Sequence, residues 1–193
     1  MRLSFKFLLA VVVVAACASA QAQTPQYKNV GRTPTAQEVR AMDIAIGTDG
    51  KELPPGSGNA KDGARIFGEK CVACHGEKQE GSSMAPALVG GKGSLTSLHP
   101  LMTAGSYWPF ATTIFDYIRR AMPRYQEGLL KVDEVYSLVA FILYRNDIIK
   151  EDDVIDAKTL PKIKMPNRDG FIPQNLDEIH DYKKRGCKLG HCP

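Results

Sequence analysis

Two thiols and an imidazole stand together at Cys71-Val72-Ala73-Cys74-His75. The C-x-x-C-H spacing is that of covalent haem attachment. One helical turn separates the thiols, so they can add across the two vinyl groups on one side of a porphyrin, and the next residue is forced under the ring, where its imidazole can ligate iron. Two other chemistries use cysteines at this spacing. A thioredoxin-like dithiol belongs in a βαβ pattern, whereas the surroundings here are helical, and a zinc site wants a second C-x-x-C, which does not stand ready. The expected cofactor is therefore a single covalent haem c on Cys71, Cys74 and His75.

Iron needs a sixth ligand, and that ligand decides between electron transfer and small-molecule binding. The candidates are Met84, Met102, Met122, Met165, His99, His180 and His191. Met122 has the best context. It ends an apolar-faced helix, Pro123 breaks that helix so that the thioether can turn inward, and the last helix begins about ten residues later. The alternative is an ordinary apolar side chain at a helix end. His75/Met122 ligation would fill both axial sites and raise the reduction potential relative to two histidines.

The elements that must position these groups read as helices. From Asn59, Gly63, Ile66 and Phe67 recur at three- and four-residue spacing and lead into Cys71. Residues 76–105, rich in Gly, Ser and Pro, are expected to form a long irregular loop of the kind that wraps a functional group. A helix is expected from Ala111 to Ala121, with Ile114, Phe115 and Ile118 on one face, and another from about Asp133 to Arg145, with Val135, Leu138, Val139, Phe141 and Ile142 as its stripe. Upstream, Thr35–Asp43 is a short helical candidate. No strand pattern or repeat stands out. The expected fold is all-α, with residues 23–58 an N-terminal extension packed on the domain, 59–146 the haem domain, and 147–193 a charged, proline-rich tail lying on the surface.

With 193 residues and 44% of them apolar, the chain suffices for one domain with a sizeable core, and a second would be cramped. Residues 1–22 have the layout of a secretory signal peptide: basic Arg2 and Lys6, an apolar run from Phe7 to Ala16, then Ala18-Ser19-Ala20. That run is short for a permanent membrane span. Its removal takes two positive charges from a formal net of +4, and the near-neutral remainder gives no support for nucleic-acid binding. Val14-Ala15-Ala16-Cys17 also resembles a lipobox, so a membrane anchor would follow if Cys17 were lipidated; either route exports the protein to the periplasm. There Cys187 and Cys192 can close a small disulfide loop, the other readings being metal binding with His191 or a redox role. Lys183, Lys184, Arg185 and Lys188 form a basic cluster, either steering an acidic partner or simply solvated.

Over Asn59–Arg145 the chain resembles the class I cytochrome c family. Gly63 and Phe67 match that family's first helix, which crosses the last, with Phe141 across the crossing. Ala85-Pro86-Ala87-Leu88 fits the family's proline and leucine after the haem motif, which implies that the Pro86 carbonyl takes the proton of His75 and that Leu88 packs on the haem. Met122 matches the methionine ligand. A narrower resemblance, to the cytochrome subunits of molybdenum sulfane and sulfite dehydrogenases, rests on Leu53-Pro54-Pro55-Gly56-Ser57-Gly58, on Gly105-Ser106-Tyr107-Trp108-Pro109, on Phe115 to Pro123, and on Met165-Pro166-Asn167-Arg168-Asp169-Gly170-Phe171. Some of those subunits carry two haems, whereas this chain has a single C-x-x-C-H. Tyr107, Trp108 and Arg119 or Arg120 either bond haem propionates or serve as core and solvated surface.

The resemblance implies a carrier that accepts single electrons from such a dehydrogenase subunit, passes them to a downstream cytochrome c or oxidase, and makes no substrate bonds itself. Two rivals stand beside it: a general shuttle with no dedicated partner, and, if Met122 is not a ligand, an open-site haem sensor or peroxidase.

Overall fold

In the computed structural model, which describes residues 30–171, the chain forms two units, one ending at Met42 and one beginning at Asp43. The described part of the first holds a short helix, α1 (Ala36–Met42), none of whose residues is buried. Thr35 and Glu38 set its start: the Thr35 hydroxyl accepts from the Glu38 N–H at 3.2 Å, and the Glu38 carboxylate accepts from the Thr35 N–H at 2.8 Å, a reciprocal cap.

The second unit runs β1 (Ser57–Gly58), α2 (Ala60–Lys70), α3 (Val72–His75), α4 (Ala111–Ala121), α5 (Val132–Arg145) and β2 (Ile155–Asp156), with 3₁₀ turns at Ser94–Thr96 and Leu160–Lys162. This is the all-α arrangement expected, and α2, α4 and α5 fall within a residue of their anticipated bounds. Asn59 starts α2 by accepting the Asp62 N–H at 2.9 Å. Helix α5 is buried over nine consecutive residues, Val135 to Leu143, so it is the centre of the core rather than a one-sided helix.

The crossing of α2 on α5 is set by Gly63. A Cβ there would lie 1.9 Å from the Ser137 carbonyl oxygen and 2.7 Å from the Phe141 Cβ, so no residue larger than glycine lets the two backbones approach this closely. One turn on, Phe67 packs against Phe141 with ring centroids 5.6 Å apart. Beyond it Lys70 Nζ meets Glu134 Oε1 at 2.7 Å. The Lys70 ammonium and the Lys131 N–H together hold the Glu134 carboxyl below the ordinary carboxylate range. Helix α4 closes the core with Ile114, Phe115 and Ile118, the Phe115 ring lying 4.5 Å from that of Tyr136.

Two expectations change. Strands do occur: Ser57 pairs with Asp156 and Gly58 with Ile155, antiparallel, two residues a side and too short for alternation to announce. The region after Asn146 is also not wholly a surface tail. Ile155, Leu160 and Met165 are buried with the helices, as are Ile46 and Leu53 ahead of Asn59, so the core draws on chain beyond 59–146. The physical reason is that α5, apolar nearly all round, needs cover on more sides than α2 and α4 supply.

Gly63→Ala should cost about 2 kcal/mol or more through forced separation of the helices, read as a lower urea midpoint. Glu134→Gln tests the ion pair through pH. Because folding lowers the Glu134 pKa, its contribution is present above the unfolded carboxylate value and lost as pH falls through the folded one. The variant should thus be about 1 kcal/mol less stable at neutral pH, with the difference closing in urea titrations below about pH 4.

Candidate haem site

Cys71 is both the end of α2 and the start of α3. Its N–H donates to the Phe67 carbonyl at 2.9 Å, and its own carbonyl accepts from the Cys74 N–H at 3.2 Å and the His75 N–H at 3.0 Å. The whole motif is thus one tight turn carried on the end of the helix that Gly63 docks. Both thiols are free and half-buried. Burial pushes the Cys71 thiol up to about 11, the opposite of the lowered value that activates a catalytic dithiol. Burial likewise lowers the His75 pKa, which favours the neutral imidazole that ligates metals.

His75 Nδ1 faces the Pro86 carbonyl oxygen at 3.4 Å. With the proton on that nitrogen, Nε2 is left as the donor to a metal. The Phe67 ring stands 6.4 Å from the imidazole, centroid to centroid. The segment holding Pro86 is tied back to the motif: the Ser82 hydroxyl donates to the Cys74 carbonyl at 2.6 Å, the Gly81 N–H to the His75 carbonyl at 2.9 Å and the Leu88 N–H to the Gln79 carbonyl at 2.9 Å.

Two residues of this framework were not singled out by their pattern. Gln79 is fully buried, and among the described residues neither end of its amide has a partner; a glutamine in a polar loop carries no signal for that. Asn146, which ends α5, clamps the loop to the helix. Its Nδ2 donates to the carbonyls of Ile142 at 2.8 Å and Leu88 at 3.1 Å, and its Oδ1 accepts from the Gly90 N–H at 3.2 Å. An asparagine past a helix end could have suggested a cap, but not which loop it would hold. Gly105 makes room for it, since a Cβ there would lie 2.2 Å from the Asn146 side chain.

Among the sixth-ligand candidates, Met122 ends α4, is half-buried, and packs against the same apolar core as Cys71, Leu88 and Trp108. Met165 is 1% exposed and part of that core, whereas Met84 and Met102 are 61% and 56% exposed. His99 is exposed. His180, His191, Cys187, Cys192, the basic cluster, Cys17 and the leader lie outside the described residues.

The residues considered for propionates have protein partners. Arg119 donates to the Ile44 carbonyl at 3.4 Å, and Arg120 donates to Asp116 at 2.9 Å. Trp108 meets Tyr117 edge-on at 5.6 Å, and Tyr107 meets Phe171 at 5.2 Å. The run from Met165 to Phe171 has a structural task here: Asn167 Nδ2 donates to the Tyr107 carbonyl at 2.7 Å, and the Arg168 guanidinium lies 4.0 Å over the Phe110 ring.

Residues 58–142 match the family described as cytochrome c oxidase, cbb3-type, subunit III. The crystal structure of the sulfane dehydrogenase SoxCD from Paracoccus pantotrophus contains a chain 36% identical to this one, superposing with a TM-score of 0.73 and covering 86% of this chain and 82% of its own. The chain belongs to the class I c-type cytochromes. No curated protein sequence matches it.

A class I cytochrome of this kind transfers electrons through covalently held haem c. The residues present fit that group: two thiols one turn apart, a neutral imidazole with one nitrogen turned to a carbonyl, and half-buried Leu88, Trp108 and Met122 packed against the same core as Cys71. In the cytochrome, Cys71 and Cys74 would hold the haem by thioether bonds and His75 would ligate its iron. Bound haem supplies a one-electron Fe(III)/Fe(II) couple. The Pro86 carbonyl keeps the imidazole oriented.

Asn146→Ala would strand the Gly90 N–H and the Leu88 carbonyl. Its unfolding free energy should fall by about 2 kcal/mol, measured by denaturant titration of the haem-loaded protein.

Proposed function

We propose that this cytochrome carries one haem, with His75 and Met122 as axial ligands, and works in the periplasm after removal of an N-terminal leader. It takes electrons one at a time from a molybdenum sulfane or sulfite dehydrogenase subunit and passes them to a downstream cytochrome c or oxidase. It makes and breaks no bond of the sulfur substrate.

One observation carries the partner reading. The likeness to a chain of the SoxCD sulfane dehydrogenase spans 86% of this protein at 36% identity, well beyond the 58–142 stretch that a cytochrome domain alone accounts for. Residues outside the haem domain are shared with a protein that works inside a dehydrogenase. The ligand reading rests on the half-buried Met122 thioether beside the core that also carries Cys71 and Leu88.

The first measurement is the pair of oxidised and reduced spectra of the purified protein beside Met122→His. A c-type haemochrome with a weak methionine-to-iron band that vanishes in the variant supports the carrier. The variant's reduction potential should drop on the order of 0.2 V, within the roughly 0.8 V that axial ligands command. A wild-type protein without that band, binding carbon monoxide readily, would overturn the carrier in favour of an open-site sensor or peroxidase.

A further inference from the structure

The connection from α4 to α5 is anchored at both ends and raised in the middle. Met122 and Leu130 pack against the core, while between them Tyr125 is 81% exposed and Leu129 54% exposed. The raised part is a turn closed by the Gln126 N–H on the Pro123 carbonyl at 2.9 Å. Tyr125, the third residue of that turn, has φ 71°, a left-handed conformation for which glycine or asparagine is the usual choice. A tyrosine there is held at a conformational cost, and the structure shows what holds it. Its N–H donates to the Glu127 carboxylate at 3.0 Å, and the Arg124 guanidinium lies 5.0 Å over its ring.

Among the described residues the ring so displayed is outside the core, and its aromatic or cationic neighbour is Arg124. An exposed aromatic side chain stacked with an arginine is what a protein–protein hot spot is made of. Beside the ring the charge is basic: the Arg124 guanidinium is exposed and lies over it, while the Glu127 carboxylate accepts from the Tyr125 N–H on the backbone side. The ridge also begins three residues from Met122, so a protein seated on it comes close to the segment expected to ligate the iron.

We propose that Arg124 and Tyr125 form the anchor on which the electron-donating molybdenum dehydrogenase subunit docks, through an acidic surface with a recess for the ring. This rests on the partner reading above and names the contact it uses. In the docked pair the reduced dehydrogenase gives up one electron and the haem iron passes from ferric to ferrous, with no bond made or broken in this chain. The donor fits the ridge better than a transient downstream acceptor, because an aromatic and arginine anchor suits a lasting complex, whereas brief encounters can be steered by charge alone.

The test is stopped-flow reduction of the haem-loaded protein by the same organism's molybdenum dehydrogenase, supplied with sulfite or thiosulfate, with ascorbate as a small reductant that needs no docking. Tyr125→Gly removes the ring and suits the left-handed turn, so it should fold as well as the wild type. The rate with the dehydrogenase should fall at least ten-fold in Tyr125→Gly. Arg124→Glu should slow it most at low salt, and Tyr125→Phe should stay near the wild-type rate. Ascorbate reduction and reduction potential should be the same in all of them. Wild-type rates with the dehydrogenase in both Tyr125→Gly and Arg124→Glu would overturn the proposal, as would slowing by ascorbate too, or slowing confined to re-oxidation by a downstream oxidase. A wild-type protein that the dehydrogenase does not reduce would instead overturn the partner reading itself, and this contact with it.

Discussion

The close contact between the α2 and α5 backbones at Gly63 and Ser137 governs the arrangement of everything else. With the Gly63 Cβ position only 1.9 Å from the Ser137 carbonyl oxygen, the two helices cross without a side-chain spacer. Phe67 is thereby brought onto Phe141, and Lys70 onto Glu134, along a single line of contact. The haem-attachment turn is the direct continuation of α2, so its place is set by that crossing. A shift of α5 would carry Asn146 with it, and Asn146 is the residue that fixes Leu88 and Gly90. The two strands of chain that border the site, the motif and the Pro86–Gly90 segment, are thus both referred to the same helix pair.

Burial then sets the chemistry of the donors. Burial raises the pKa of the Cys71 thiol, the opposite of an activated catalytic thiol, and a half-buried neutral imidazole makes a good iron ligand. The Pro86 carbonyl adds direction, occupying one ring nitrogen. These features are worth little singly; together they fit the covalent haem c of an electron-transfer cytochrome domain. Electron transfer needs little else, since its requirements are a fixed iron environment and a surface on which a partner can come near.

The chain outside the helices contributes more than connection. Met165 to Phe171 packs its asparagine and arginine onto Tyr107 and Phe110, and Ile155, Leu160 and Met165 cover sides of α5 that α2 and α4 leave bare. By composition, charged and rich in proline, the chain after Asn146 has the character of a surface tail. Composition averages over residues, and three buried side chains among many exposed ones barely alter the average.

Several features followed from the sequence alone because they are local. C-x-x-C-H states its chemistry within five residues, and the periodicity of α2, α4 and α5 is complete within each helix. The crossing of Gly63 and Phe67 on Phe141 is not local and came only through the resemblance to class I cytochromes c. What only the tertiary structure decided are relations between distant segments: the pairing of Ser57 with Asp156, the burial of Met165, the Ile44 carbonyl given to Arg119, the amide of Gln79, without a partner among the described residues, and the clamp of Asn146. The reason is physical. A helix or a covalent attachment motif is specified by neighbours a few residues away, whereas a buried polar contact depends on which surfaces the packed core brings together, and one-dimensional spacing does not carry that information.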